Sequence, residues 1–180
     1  MAEITGTSGN DNGIDNPILE GTDGDDVISG AEGDDILRGL GGNDVLSGGT
    51  GQSTVEGGDG DDRILHGVQF AVADTSRTDV LDGGDGFDWL VLDAEALGAF
   101  NANLRDMTIR NIEAIDLSGK HAAFGDNQLD NIQHISGFGE SATLQYFGSA
   151  DLSLGHIQVV RPIAAPPEFI PLRIQPRHMT

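Results

Sequence analysis

From Gly21 onward the hydrophobic and polar positions recur with a period of nine. An aliphatic side chain returns as Ile28, Leu37, Leu46, Val55 and Ile64, and two places before each stands Asp26, Asp35, Asp44, Ser53 or Asp62. Glycine opens every unit and returns at its fourth place, as Gly24, Gly33, Gly42, Gly51 and Gly60. Five units run in register without an insertion over residues 21–65. Glycine admits the positive φ of a tight turn, where a Cβ would clash. The aliphatic at position eight belongs to a short strand and points inward. Two units then give two turns and two strands, a closed coil of 18 residues. Residues one coil apart stack at the parallel-strand spacing of about 4.8 Å. That places Asp26, Asp44 and Asp62 in one ladder and Asp35 over Ser53 in the other.

Looser copies flank this run. Gly6–Ile14 keeps Asp11 at position six but has Gly13 where an aliphatic belongs. Asp74–Asp82 has lost its glycines yet keeps Asp79 and Leu81, and Gly83–Val91 carries Asp88 and Leu90. Eight residues, His66–Ala73, separate the fifth unit from the next. Farther on, the segment Ile109–Ile115 aligns with Leu129–Ile135 at a spacing of 20, pairing Asn111 with Asn131 and Ile112 with Ile132. Carried back and forward by the same step, the pattern reaches Trp89 and Leu92 at one end and Leu152 at the other. The expected fold is all-β, a right-handed parallel β-roll or β-solenoid. Its expected parts are a roll over residues 1–91, a solenoid extension of about 20 residues per coil over 92–160, and an irregular tail over 161–180. A short helix over residues 93–108 is the alternative for that stretch. Asn111 and Asn131 suit either an internal asparagine ladder or two turns.

Charge sharpens the picture. Asp plus Glu number 30 against nine Lys plus Arg, a net charge of −21. Nucleic acid and anionic membrane surfaces are poor partners for such a chain, since both need clustered positive charge; metal cations suit it. A column of carboxylates at strand spacing repels itself by roughly 3 kcal/mol per neighbouring pair at an effective dielectric of about 20. A hard dication between the turns reverses that sign. Calcium, which takes 6–8 oxygen ligands in irregular geometry and accepts backbone carbonyls, fits better than magnesium, which demands a tight octahedron. Cysteine is absent, so no disulfide or thiolate site is expected. No run of 18 apolar residues suggests a membrane span. The N-terminus has neither the basic start nor the apolar run of a secretory signal. The tail from Ile163 to Thr180 is rich in proline and arginine.

These units resemble the RTX, or haemolysin-type, calcium-binding nonapeptides, with the pattern GGxGxDxUx. The resemblance is close over residues 21–65 and looser over 6–14 and 74–91. It implies that position-six aspartates and carbonyls of the glycine turns hold calcium between alternate repeats. Carried onto this chain, the implied ligands are Asp11, Asp26, Asp35, Asp44, Asp62, Asp79 and Asp88, with Gly24, Gly33, Gly42 and Gly60 supplying turn carbonyls. Ser53 departs from the pattern and leaves the Asp35 site incomplete. The resemblance also implies a secreted, extracellular or cell-surface bacterial protein exported by a type I system, although the tail departs from the usual export signal.

Catalytic signatures are missing: there is no HExxH, no GxSxG and no phosphate-binding glycine loop. His66, His121, His134, His156 and His178 show no ligand spacing. The acid pairs Asp25–Asp26, Asp34–Asp35 and Asp61–Asp62 suggest a glycosidase site, but the repeat explains them better. Phe87 and Trp89 suit a plug between coils more than a sugar-stacking platform. The expected function is therefore a non-enzymatic calcium-binding module that folds on metal binding, with a structural or secretion-linked role. Two rivals stand beside it. One is a carbohydrate-binding or adhesion module directed at extracellular polysaccharide or a cell surface. The other is a β-helix polysaccharide lyase or epimerase, for which Arg105, Arg110 and Lys120 are the basic candidates.

Overall fold

The computed structural model describes residues 1–67, 78–92, 102–125, 128–137, 144–146 and 158–159. These residues form strands joined by turns, with no helix among them. All strand pairs are parallel and every one bridges successive coils, so the chain is a β-solenoid.

In the repeat region the chain alternates between two sheets. β1 (Glu3–Thr5), β3 (Val27–Ser29), β5 (Val45–Ser47), β7 (Arg63–His66) and β9 (Trp89–Leu92) stack on one side. β2 (Leu19–Glu20), β4 (Ile36–Gly41), β6 (Thr54–Asp59) and β8 (Val80–Asp85) stack on the other, capped by β11 (Thr108–Arg110). The expected coil of 18 residues is seen directly: Ile28 pairs with Leu46, Leu46 with Ile64, and Leu37 with Val55. Position-eight side chains are the core. Ile28, Leu37, Leu46, Val55, Ile64, Leu81 and Leu90 are all buried, because each strand's alternation leaves that residue inside and its neighbours half outside.

Two coils are longer, and in both the extra residues leave the ladder unbroken. Val55 pairs with Leu81 and Ile64 with Leu90, a step of 26; the eight added residues match the length of His66–Ala73. At the N-terminus Ile4 pairs with Ile28 and Asp11 lies against Asp35, a step of 24. The six added residues here form a surface loop in which Asn12 Oδ1 accepts the amides of Ile14 and Asp15. The aliphatic missing at Gly13 is therefore supplied beyond the loop by Leu19, which pairs with Leu37.

After β9 the cross-section changes. β12 (Ala114–Asp116), β14 (His134–Ser136) and β16 (Gln158–Val159) extend the first sheet, giving it eight strands in all. A third sheet begins with β10 (Ala102–Asn103), β13 (Ala122–Phe124) and β15 (Leu144–Tyr146). The 20-residue period holds where Ile115 pairs with Ile135 and Ala102 with Ala122, and neighbouring coils take steps of 22 and 24. Ile112, Ile115, Leu117, Phe124, Leu129 and Ile132 fill this part of the core.

Projecting the period back to Trp89 does not hold. Trp89 pairs with Ala114, a step of 25, and Ile109 pairs with Leu81, because the coil joining roll to extension has its own length. Leu152 lies outside the described residues. Of the stretch 93–108, residues 102–103 are strand rather than helix and 93–101 lie outside the described residues. Asn111 and Asn131 are exposed, so they are turn residues and not an internal ladder. Asn111 takes a φ of 51° and donates through Nδ2 to Asp82 at 2.8 Å. Phe87 and Trp89 do not plug the coils either. They meet edge to face on the outside, where Trp89 also meets His134, and Leu90 takes the interior place.

Candidate metal centre: two carboxylate ladders

Every position-six aspartate faces inward at the corner between turn and strand. Asp11, Asp26, Asp35, Asp44, Asp62, Asp79 and Asp88 are each at most 2% exposed, and Ser53 is 6% exposed. Seven buried carboxylates beside a thin aliphatic core demand compensation. Part of it comes from a regular lacing of coil to coil. The amide of Asp26 donates to Asp44 Oδ1 at 2.7 Å, that of Asp44 to Asp62 Oδ1 at 2.8 Å, and that of Asp62 to Asp88 Oδ1 at 2.8 Å. In the second ladder the amide of Asp11 donates to Asp35 Oδ1 at 2.8 Å and that of Ser53 to Asp79 Oδ1 at 2.9 Å. Asp26, Asp44 and Asp62 thus share one column, and Asp35 stands over Ser53 in the other, as the nine-residue register requires.

Position five laces the coils in the opposite direction. The Asn43 amide donates to Asp25 Oδ1, the Asp61 amide to Asn43 Oδ1 and the Phe87 amide to Asp61 Oδ1, at 2.8, 2.8 and 2.9 Å. On the other corner, Asp34 accepts from Gln52 and donates to Asn10. These acidic and amide residues are more than exposed decoration of the repeat. Their signal in the sequence is an Asp or Asn at position five, a residue whose short side chain bonds nearby backbone.

The second carboxylate oxygens separate the sites. In Asp11 and Asp26, Oδ2 accepts the amides of Thr7 and Thr22, each at 2.7 Å, so a threonine at position two satisfies the group internally. In Asp35, Asp44, Asp62 and Asp88, Oδ2 is buried with no hydrogen-bond donor among the described residues. A buried anion without a donor calls for a cation. Each of these oxygens faces the position-one glycine of its own repeat and a main-chain carbonyl of the next coil. A Cβ on Gly39 would lie under 3.0 Å from both Asp44 Oδ2 and the Gly57 carbonyl oxygen. At Gly57 the pair is Asp62 Oδ2 and the Gly83 carbonyl, and at Gly30 it is Asp35 Oδ2 and the Gly48 carbonyl. Carboxylate and carbonyl oxygens brought together around a cradle that tolerates no side chain make a hard-oxygen donor set, which suits calcium.

The turn glycines behave in two ways. Gly33, Gly42 and Gly60 take φ values of 122°, 105° and 128°, conformations that favour glycine. Gly24 is not in that region. The coils press so closely that a Cβ on Gly60 would strike the Gly42 carbonyl oxygen. The turn carbonyls are therefore presented at short range to the following coil. Asp79 differs from the other aspartates. It lies under Ser53, with His66 Nδ1 at 3.9 Å from Oδ2, beside a cavity of about 10 Å³ also lined by Gly48 and Leu81.

Burial pushes the Asp62 carboxyl up to about 7, with the charges of Asp88 and Asp44 adding to it, and burial likewise pushes Asp88 up to about 6. Asp35 and Asp44 are raised for the same reason. Asp26 is lowered, chiefly by the backbone amide of Ala2. A carboxyl raised in the folded state binds a proton that the unfolded chain, near 3.8, gives up. Metal-free stability therefore grows as pH falls through about 7 and is lost as pH rises through that value. Metal affinity runs the other way, because the ligands must be deprotonated. In chelator, circular dichroism is expected to show more β-structure at pH 5 than at pH 8, with calcium affinity lower at pH 5. Less structure at pH 5 than at pH 8 would contradict the burial of these groups.

The description RTX calcium-binding nonapeptide repeat matches this chain in four copies, over residues 18–46, 38–69 and 75–94. No curated protein and no solved structure matches it. The matched segments hold Asp26, Asp35, Asp44, Asp62, Asp79 and Asp88, and leave Asp11 outside. Residues 18–69 and 75–94 thus match RTX calcium-binding nonapeptide repeats, in a chain whose described residues fold as a parallel β-solenoid.

Proposed function

We propose that this chain is a calcium-responsive structural module of a secreted bacterial protein, folding when calcium enters its turns and serving the architecture or the export of that protein. The observation that carries this is the set of four buried Oδ2 atoms without donors, on Asp35, Asp44, Asp62 and Asp88, each facing a carbonyl of the next coil. Cytosolic calcium is scarce and extracellular calcium abundant, so a module of this kind stays unfolded until it leaves the cell. The family to which the repeats belong supports calcium as the ion, and no described helix is long and apolar enough to cross a membrane.

Calorimetric titration tests the ion. Calcium is expected to bind at several sites per chain with proton release near neutral pH. Magnesium at equal concentration is expected to leave the chain unfolded, because it demands a tight octahedron and keeps its waters, whereas calcium accepts main-chain carbonyls beside carboxylates. Full folding in magnesium alone would refute this assignment.

A second reading has one observation in its favour. Phe87 is 37% exposed and continues through Trp89 to His134, with ring centroids 6.2 and 5.5 Å apart, as a short aromatic row on the outer face of the first sheet. Such a row suits stacking on a sugar ring. Binding to immobilised polysaccharides that is lost in Trp89→Ala, with calcium binding retained, would favour it. For the enzymatic rival, Arg110 is engaged with Asp82 at 2.7 Å and Arg105 with Asn103 at 3.0 Å.

A further inference from the structure

We infer that the first carboxylate ladder continues one coil beyond the repeats, and that Asp88, Glu113 and the main-chain carbonyl of Asn111 form a further calcium seat. This rests on calcium binding by the array itself. The matched repeats end at residue 94, and neither Asn111 nor Glu113 falls in a nonapeptide.

Three equivalences place Glu113 on the ladder. The Asp88 amide donates to Glu113 Oε2 at 2.9 Å, continuing the series in which each position-six amide donates to the next carboxylate. The Ala114 amide donates to the Asp88 carbonyl at 2.9 Å, as Trp89 does to Asp62 and Arg63 to Asp44. Finally, a Cβ on Gly83 would lie under 3.0 Å from both Asp88 Oδ2 and the Asn111 carbonyl oxygen. In the coil before, the same cradle is made at Gly57 by Asp62 Oδ2 and the Gly83 carbonyl. Asn111 thus presents the carbonyl that a position-one glycine would present, although its φ of 51° sets it apart from those glycines, none of which takes a positive φ.

Asp88 Oδ2 points into this cradle, and Asp88 is 0% exposed with no donor on that oxygen. It is the same orphaned anion that marks Asp44 and Asp62. A glutamate stands here where the repeats have aspartate. In a repeat, the carboxylate stands five positions after the carbonyl glycine, as Asp88 does after Gly83; here Glu113 stands only two positions after Asn111. Across this shorter turn the glutamate side chain still reaches the Asp88 amide. One coil farther, Gln133 donates its amide to the Glu113 carbonyl at 2.7 Å, but its side chain is neutral and exposed, so the charged ladder stops at Glu113.

The test is calcium calorimetry on the whole chain, comparing the parent with Glu113→Gln and Asp44→Asn. Glutamine keeps the length and an oxygen to accept the Asp88 amide while removing the charge, so circular dichroism in saturating calcium should match the parent. The expected result is one calcium fewer per chain in Glu113→Gln. Terbium in place of calcium gives a second readout, since the chain's single tryptophan, Trp89, adjoins Asp88 and would sensitise an ion seated there. Tryptophan-excited terbium emission should fall in Glu113→Gln by about half or more. An unchanged calcium count in Glu113→Gln beside a reduced count in Asp44→Asn overturns the added seat and leaves the array intact. No calcium binding by the parent overturns both.

Discussion

In chelator at neutral pH the repeat region is expected to be largely unfolded, and millimolar calcium to restore its β-structure and raise its melting temperature by tens of degrees. Without the ion, four carboxylates with an undonated oxygen stand within a buried column, at Asp35, Asp44, Asp62 and Asp88. Against them the coils offer one aliphatic per strand, Ile28, Leu37, Leu46, Val55 and Ile64, and few other side chains in the interior. A ligand at 100 times its dissociation constant adds about 2.7 kcal/mol per site. Several sites together reach the 5–15 kcal/mol that separates folded from unfolded in ordinary domains. The N-terminal coils should hold longest at low calcium, because Thr7 and Thr22 already satisfy Asp11 and Asp26. Far-ultraviolet circular dichroism and thermal melts with and without calcium check this. An identical spectrum and melting temperature in both would refute calcium-driven folding.

How much of this was legible in the sequence depends on which positions point inward. Positions six and eight face the interior, so they persist where the rest of the unit has drifted. Asp79 and Leu81 mark a coil in Asp74–Asp82 that has lost its glycines, and they stack under Ser53 and Val55 as that register requires. Coil lengths were less legible, because loops leave the ladder without disturbing its faces. A fixed register reads Gly13 as a fault, whereas the chain makes a six-residue detour and returns with Leu19. For the same reason a 20-residue period projected backward puts Trp89 under Ile109, when the connecting coil puts it under Ala114. Glu113 escaped notice because it breaks both rules at once, the residue type and the spacing to its turn. The reciprocal lacing by Asp25, Asn43 and Asp61 was also missed: an exposed acid every nine residues looks like surface charge until its partner is known to be an amide of the next coil.

Asp44 and Asp35 are expected to differ sharply when mutated, and Ser53→Asp to act in opposite directions with and without calcium. Asp44 lies in mid-ladder: its Oδ1 accepts the Asp26 amide and its own amide donates to Asp62. It therefore links the carboxylates on both sides of it in the column. Asp35 accepts the Asp11 amide but stands over Ser53, whose hydroxyl turns to the Gly48 carbonyl at 3.2 Å. It serves one complete side at most. Alanine at either site leaves a buried amide without its acceptor, costing about 1–3 kcal/mol, so asparagine, which keeps the acceptor, isolates the charge. Asp44→Asn should lower calcium affinity and cooperativity by about tenfold or more, and Asp35→Asn by a few-fold. The cavity beside Ser53, bordered by Gly48, His66 and Asp79, measures about 10 Å³, room for about one water, so a carboxylate there needs a small shift of these neighbours. In Ser53→Asp that carboxylate joins the column between Asp35 and Asp79. Without calcium it adds like charge and lowers stability; with calcium it completes the second ladder and strengthens binding. Calcium titrations of the three variants beside the parent, with melts in chelator and in calcium, measure all of this. Equal losses in Asp44→Asn and Asp35→Asn, with no gain from Ser53→Asp, would mean that the nonapeptides bind as independent loops rather than as two coupled ladders.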